Sequence, residues 1–158
     1  VQFGKMHDQI YSTHLGDAPR EDLMPYVADF LLQLDDVKWS VVSGQVENQL
    51  IVSVRNLGYS RNAGEFVKAY FSDIGNAGGH RAMAKAVIPL GAFRHKFGHL
   101  DAREIASLLA DLASHFLTDQ TRPDRRHSGI MHDTRVASRM ERARASSHPA
   151  VVTNRTPK

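Results

Sequence analysis

The apolar positions of this chain change period several times, and each change predicts a change of element. From Pro25 onward, Val27, Phe30, Leu31 and Leu34 recur at i, i+3, i+4 and i+7. That spacing predicts a helix opening over Pro19-Arg20-Glu21-Asp22, firm from Pro25, and closing at Asp35-Asp36-Val37. Trp39, Val41 and Ser43 then alternate with Ser40 and Val42, a short strand, and residues 44–48 read as the turn of a hairpin. The returning strand, Leu50 to Arg55, points Leu50, Val52 and Val54 to one face and Ile51, Ser53 and Arg55 to the other. Asn62 followed by Glu65 signals a helix start, with Phe66, Val67, Tyr70 and Phe71 as its buried face and a stop near Ser72-Asp73. A strand is predicted over Lys85 to Leu90. A last helix, from Asp101 with Glu104 behind it, buries Ile105, Leu108, Leu109, Leu112 and Phe116. Helices alternating with strands predict an α/β fold, a mixed β-sheet flanked by helices.

Between the second helix and the strand after it lies Gly75-Asn76-Ala77-Gly78-Gly79-His80-Arg81. Glycine reaches φ > 0 without a Cβ clash, so successive amides in such a loop can form a concavity for an anion, with His80 and Arg81 as its walls. A plain turn is the alternative reading. A single helical turn over residues 80–83 would add free N-terminal amides. Arg55 gives a polar, cationic strand end to a sheet that is otherwise apolar, and its planar fork suits a phosphate better than a lysine would. Pairing with Asp73 or another acid is the competing role. Ser53 reads as support for Arg55, and His80 as an N–H donor to a phosphate oxygen rather than a base. Arg81 and Lys85 read as solvent-facing cations.

The succession of a Ser53-Val54-Arg55 strand end, the Gly78-Gly79-His80 loop and a following small-residue segment resembles the DHH-associated domain. This is the C-terminal substrate-binding domain of the DHH phosphoesterases, which include oligoribonucleases, RecJ-like exonucleases and phosphoadenosine-phosphate phosphatases. The resemblance runs from about Tyr26 to Leu90. It implies that Ser53, Arg55, Gly78, Gly79 and His80 contact the phosphate and base of a nucleotide or a short single-stranded nucleic acid. It departs from the family pattern where Ala77 replaces the first glycine of a Gly-Gly-Gly-His motif. Met83 and Lys85 also stand where Ala and Gly are usual.

Charge divides the chain in two. Residues 120–158 hold nine Lys/Arg against three acids, a net of +6, whereas residues 1–119 hold 11 against 14, a net of −3. The basic stretch has no sustained apolar period, so it is expected to be a flexible tail, either solvated or in electrostatic contact with nucleic acid. Residues 1–119 form the expected domain. No cysteine is present, which excludes disulfides and thiolate chemistry and fits a cytoplasmic location. Neither an apolar run of about 20 residues nor a signal-peptide pattern is visible, so no membrane partner is expected. The chain opens on Val1, as a processed chain or an excised fragment would.

Metal-dependent phosphoester hydrolysis needs clustered Asp and His ligands. The DHH family holds them in an N-terminal domain bearing Asp-His-His, a motif absent from this sequence. His7-Asp8 and His132-Asp133 read as surface pairs. His95 and His99, four apart in a Gly-flanked loop, read as a solvated loop or as a zinc pair. The resemblance therefore implies a chain without catalytic or metal residues of its own, which clamps substrate for a DHH domain lying upstream. Manganese or another divalent cation would belong to that domain. A non-enzymatic nucleic-acid module using the basic tail, and an oligomerisation or regulatory domain (a homodimer, for example), are the alternatives.

Overall fold

The computed structural model describes residues 4–57 and 61–119. The basic stretch from residue 120 onward lies outside them, as does His132-Asp133. In chain order the elements are β1 (Lys5–His7), β2 (Ile10–Asp17), α1 (Leu23–Leu31), β3 (Trp39–Val46), β4 (Gln49–Asn56), α2 (Ala63–Phe71), β5 (Asn76–Gly79), β6 (Met83–Pro89), α3 (Leu90–Phe97) and α4 (Ala102–Asp119). The strands form one mixed sheet in the order β1-β2-β3-β4-β6-β5. Among the described strands only β2 and β3 pair in parallel. A parallel pair needs a crossover, and α1 supplies it.

The predicted alternation of β4 sorts the molecule into two layers. Leu50, Val52 and Val54 face α2, α3 and α4 in the larger core, where Phe66 meets Trp39, Tyr70, Phe71 and Phe116 at ring-centroid distances of 5.4 to 6.3 Å. Ile51 faces α1 on the other side, in a smaller cluster with Val42, Met24, Ala28 and Leu31. The caps hold as predicted. Asn62 Oδ1 accepts from the Gly64 and Glu65 amides, and Asp101 and Glu104 exchange side-chain to backbone bonds at 2.8 and 2.9 Å. No helix among the described residues is long and apolar enough to cross a membrane.

Several expectations are corrected. The helix predicted from Pro19 begins at Leu23, and its buried stripe is Met24, Ala28 and Leu31; Phe30 is 56% exposed and Leu34, beyond the helix, 41%. Ala28 wins the inward position because it lets the helix backbone come close to the sheet, where the Ser40 hydroxyl donates to the Ala28 carbonyl at 2.8 Å. Residues 91–97, expected as loop, belong to α3, which buries Leu90, Phe93 and Phe97. The β1–β2 hairpin had no predicted counterpart. Its two-residue turn, Asp8 and Gln9, has φ of 45° and 69°, the positive pair of a type I′ turn, built without the glycine that usually announces one.

Beneath α4, the His14 ring Nδ1 lies 2.8 Å from the Ser43 hydroxyl. Burial holds the His14 pKa below the ordinary histidine value, with Asp17 pulling weakly the other way. A lowered folded pKa means that the fold favours neutral His14. The contribution is complete above the unfolded value of about 6.5 and is lost as pH falls through the lower folded value. Urea unfolding is therefore expected to show stability declining on the acid side of about pH 6.5, and His14→Gln should flatten that decline. An unchanged slope in the variant would assign the decline to other groups.

Candidate phosphate-binding cleft

The outer part of the sheet, β4-β6-β5, extends past α1 and leaves an open cleft of about 280 Å³ on the face that α1 covers elsewhere. Register explains what lines it. Ser53 on β4 pairs with Lys85 on β6, which pairs with Gly78 on β5, so these three form one row across the sheet; Arg55 pairs with Met83 in the next. Gly79 and His80 close the far wall and Pro25 of α1 the near one. All five residues singled out in the sequence, Ser53, Arg55, Gly78, Gly79 and His80, line this one cleft.

The glycine-rich segment is not a free loop. Residues 76–79 form the edge strand β5, and residues 80–83 make the turn into β6 rather than a helical turn, closed by the His80 N–H donating to the Met83 carbonyl at 2.7 Å. The N-terminal amides of α2 are spent on this turn. Ala63 N–H donates to the Arg81 carbonyl and Gly64 N–H to the His80 carbonyl, at 2.9 and 3.1 Å. Asn56, which the sequence reading passed over, anchors the same turn: its side-chain amide donates to the Arg61 and Arg81 carbonyls at 3.0 and 2.8 Å. An amide on the apolar Val54 side of β4 was the available signal. The Ala63 and Gly64 amides at the start of α2 are therefore already engaged, and what the cleft presents is side chains and the edge of β5.

The two glycines differ in kind. A Cβ on Gly79 would lie 2.4 Å from both the Ala84 Cα and the Met83 carbonyl oxygen, and its φ is +154°. Gly79 is thus required by the β5–β6 pairing. A Cβ on Gly78 would meet nothing within 4 Å. It would project into the cleft.

Arg55 is 14% exposed and held from three directions. Its Nε donates to Asp29 Oδ1 on α1 at 2.7 Å, and Nη1 donates to the Ser53 hydroxyl at 3.3 Å and to the Val54 carbonyl at 3.1 Å. Ser53 thus supports Arg55 as predicted, and the acid that pairs with Arg55 is Asp29. Asp73 instead takes Lys96 at 2.8 Å. Arg55 Nη2 makes no hydrogen bond among the described residues, so its N–H groups remain for a ligand. Lys85, read as an ordinary surface cation, lines the cleft and pairs with Glu21 Oε2 at 3.0 Å. His80 is exposed at the rim.

Among the described residues no three His, Asp or Glu side chains converge as a metal site. His7 and Asp8 meet at 3.1 Å as an exposed pair, and His95 sits on α3 with His99 beyond the helix end. The arrangement can grip an anion through a guanidinium, a histidine and a lysine against a bare strand edge.

Residues 9–114 match the family described as DHHA1 domain. The chain belongs to that family. A stretch of 81 residues is 33% identical to an uncharacterized protein of Methanocaldococcus jannaschii, covering 51% of this chain and 16% of that protein. Among solved structures, the C-Ala domain of Aquifex aeolicus alanyl-tRNA synthetase superposes with a TM-score of 0.51 at 14% identity, over 70% of this chain and 97% of that one. An exopolyphosphatase-related protein from Bacteroides fragilis gives 0.51 at 11% identity, over 72% of this chain and 32% of that one. These two structures share the fold of this chain. The chain spans about a sixth of the archaeal relative's length.

Proposed function

We propose that this DHHA1 domain binds the phosphate and nucleotide portion of a substrate that an Asp-His-His domain outside this chain hydrolyses. The observation that carries the reading is the convergence of Ser53, Arg55, Gly78, Gly79 and His80, residues from two strands and a turn, on one cleft. Arg55 is the principal anion ligand: Asp29 and Ser53 fix its plane, and Nη2 donates to the phosphate. His80 donates a second N–H, and Gly78 lets the ligand approach the strand edge. The division of labour is positioning here and chemistry elsewhere. Manganese or another divalent cation, which would activate water for hydrolysis, would be held by that Asp-His-His domain.

Calorimetric titration of the 158-residue chain with the phosphorylated dinucleotide pApA should give saturable one-to-one binding. The same material with excess manganese should release no phosphate or mononucleotide. Turnover that disappears on substitution within residues 1–119 would overturn the division of labour. A second reading, nucleic-acid binding through the basic stretch, is favoured by its net charge of +6. It requires binding that survives Arg55→Ala and disappears on deletion of residues 120–158.

A further inference from the structure

We infer that Lys85 is a charge-selective ligand of this cleft, held in reserve by Glu21, and that it makes the cleft prefer a terminal phosphate to an internal phosphodiester. The inference rests on the proposed phosphate-binding reading and concerns a residue that departs from the family's small-residue pattern. Lys85 stands in the middle of the row Ser53–Lys85–Gly78, flanked by a hydroxyl on one strand and by no side chain on the other. It lines the same cleft as Arg55.

The two cations are held very differently. Arg55 is nearly enclosed and makes three hydrogen bonds, so it keeps its place with or without a ligand. Among the described residues Lys85 pairs with Glu21, and both side chains are about half exposed, at 43% and 57%. An ion pair of that kind contributes little and exchanges readily. With Asp29 and Glu21 in place the ligand-free cleft is close to neutral. An internal phosphodiester brings one negative charge, which Arg55 satisfies. A terminal phosphate carries close to two at neutral pH, with three acceptor oxygens, and the surplus charge draws the flexible ammonium away from Glu21. Glu21 is then a built-in competitor that sets the threshold for this exchange.

The test compares pApA with ApA, which lacks the terminal phosphate, by titration of the full chain at low salt. The unsubstituted protein is expected to prefer pApA by roughly tenfold, the value of one charge-assisted contact. Lys85→Met should bring the two ligands within about twofold of each other, the loss falling mainly on pApA, with the melting temperature unchanged. Glu21→Gln should widen the preference by about two- to threefold, an effect that high salt removes. If both ligands bind in an Arg55-dependent way but the preference is absent, or survives Lys85→Met, the inference fails and the phosphate-binding reading stands. If the unsubstituted protein binds neither ligand, both fail.

Discussion

Gly79→Val is expected to lower stability by roughly 2–5 kcal/mol, whereas Gly78→Val, one residue away, should leave stability nearly unchanged and abolish nucleotide binding. In the sequence the two glycines read alike, as ligand contacts in one glycine-rich loop. The structure separates them. A valine at Gly79 would have to occupy a φ of +154° and overlap the β6 backbone at Ala84, so β5 must peel from β6. The turn over residues 80–83 and its bonds to the start of α2 would loosen with it. Gly78 has neither constraint: its φ is not positive and its Cβ would enter open space in the cleft. Valine also suits a strand. Urea unfolding and pApA titration of the two variants separate the roles. Binding by Gly78→Val at unchanged affinity would remove the cleft from consideration, and a fully stable Gly79→Val would contradict the close approach of the two strands.

Arg55→Ala should weaken binding of a phosphorylated dinucleotide by about 1.5–3 kcal/mol, roughly 10- to 150-fold, with a much smaller effect on stability. The asymmetry follows from exposure. Removing Arg55 leaves Asp29, 61% exposed, free to be solvated, so no buried charge is stranded. Arg55→Lys is the sharper variant, since it keeps the charge and loses the fork. Lysine has one ammonium to divide among Asp29, Ser53 and the ligand, and affinity should fall almost as far as in Arg55→Ala. Were Arg55→Lys to bind normally, net charge rather than an oriented guanidinium would be the operative feature. Asp29→Asn should give an intermediate loss, because it frees Nε while leaving the guanidinium in the site.

What could be read in advance followed the visibility of each side chain's partner. β4 was legible because strict alternation put Leu50, Val52 and Val54 against Ile51, Ser53 and Arg55, and a polar strand end on such a face has few other uses. The starts of α2 and α4 were legible because Asn62 and the Asp101–Glu104 pair act on amides two or three residues away. β2 escaped notice because Ser12, Thr13 and His14 are buried there, so the strand carries no hydrophobic alternation. His14 finds Ser43 across the parallel pair, a partner 29 residues distant, and the Ser12 and Thr13 hydroxyls have none among the described residues. The α1 stripe was right at Leu31 and Val27 and wrong at Phe30 and Leu34, since the choice between Ala28 and Phe30 as the inward residue depends on how close β3 lies. Asp29 reaches Arg55 across 26 residues, and Lys85 enters the cleft only through the register of β6. No local pattern records either. His80 and the two glycines were recognisable as a motif, but the strand character of β5 was not, because glycines carry no β signal of their own.

The most direct test of the central claim is a backbone amide NMR titration of the chain with pApA, carried out alongside Arg55→Lys. Saturable shifts confined to Ser53, Arg55, Gly78, Gly79, His80 and Lys85, and abolished in the variant, are the predicted result. Shifts confined to residues 120–158 and indifferent to Arg55→Lys would contradict it and assign nucleotide contact to the basic stretch.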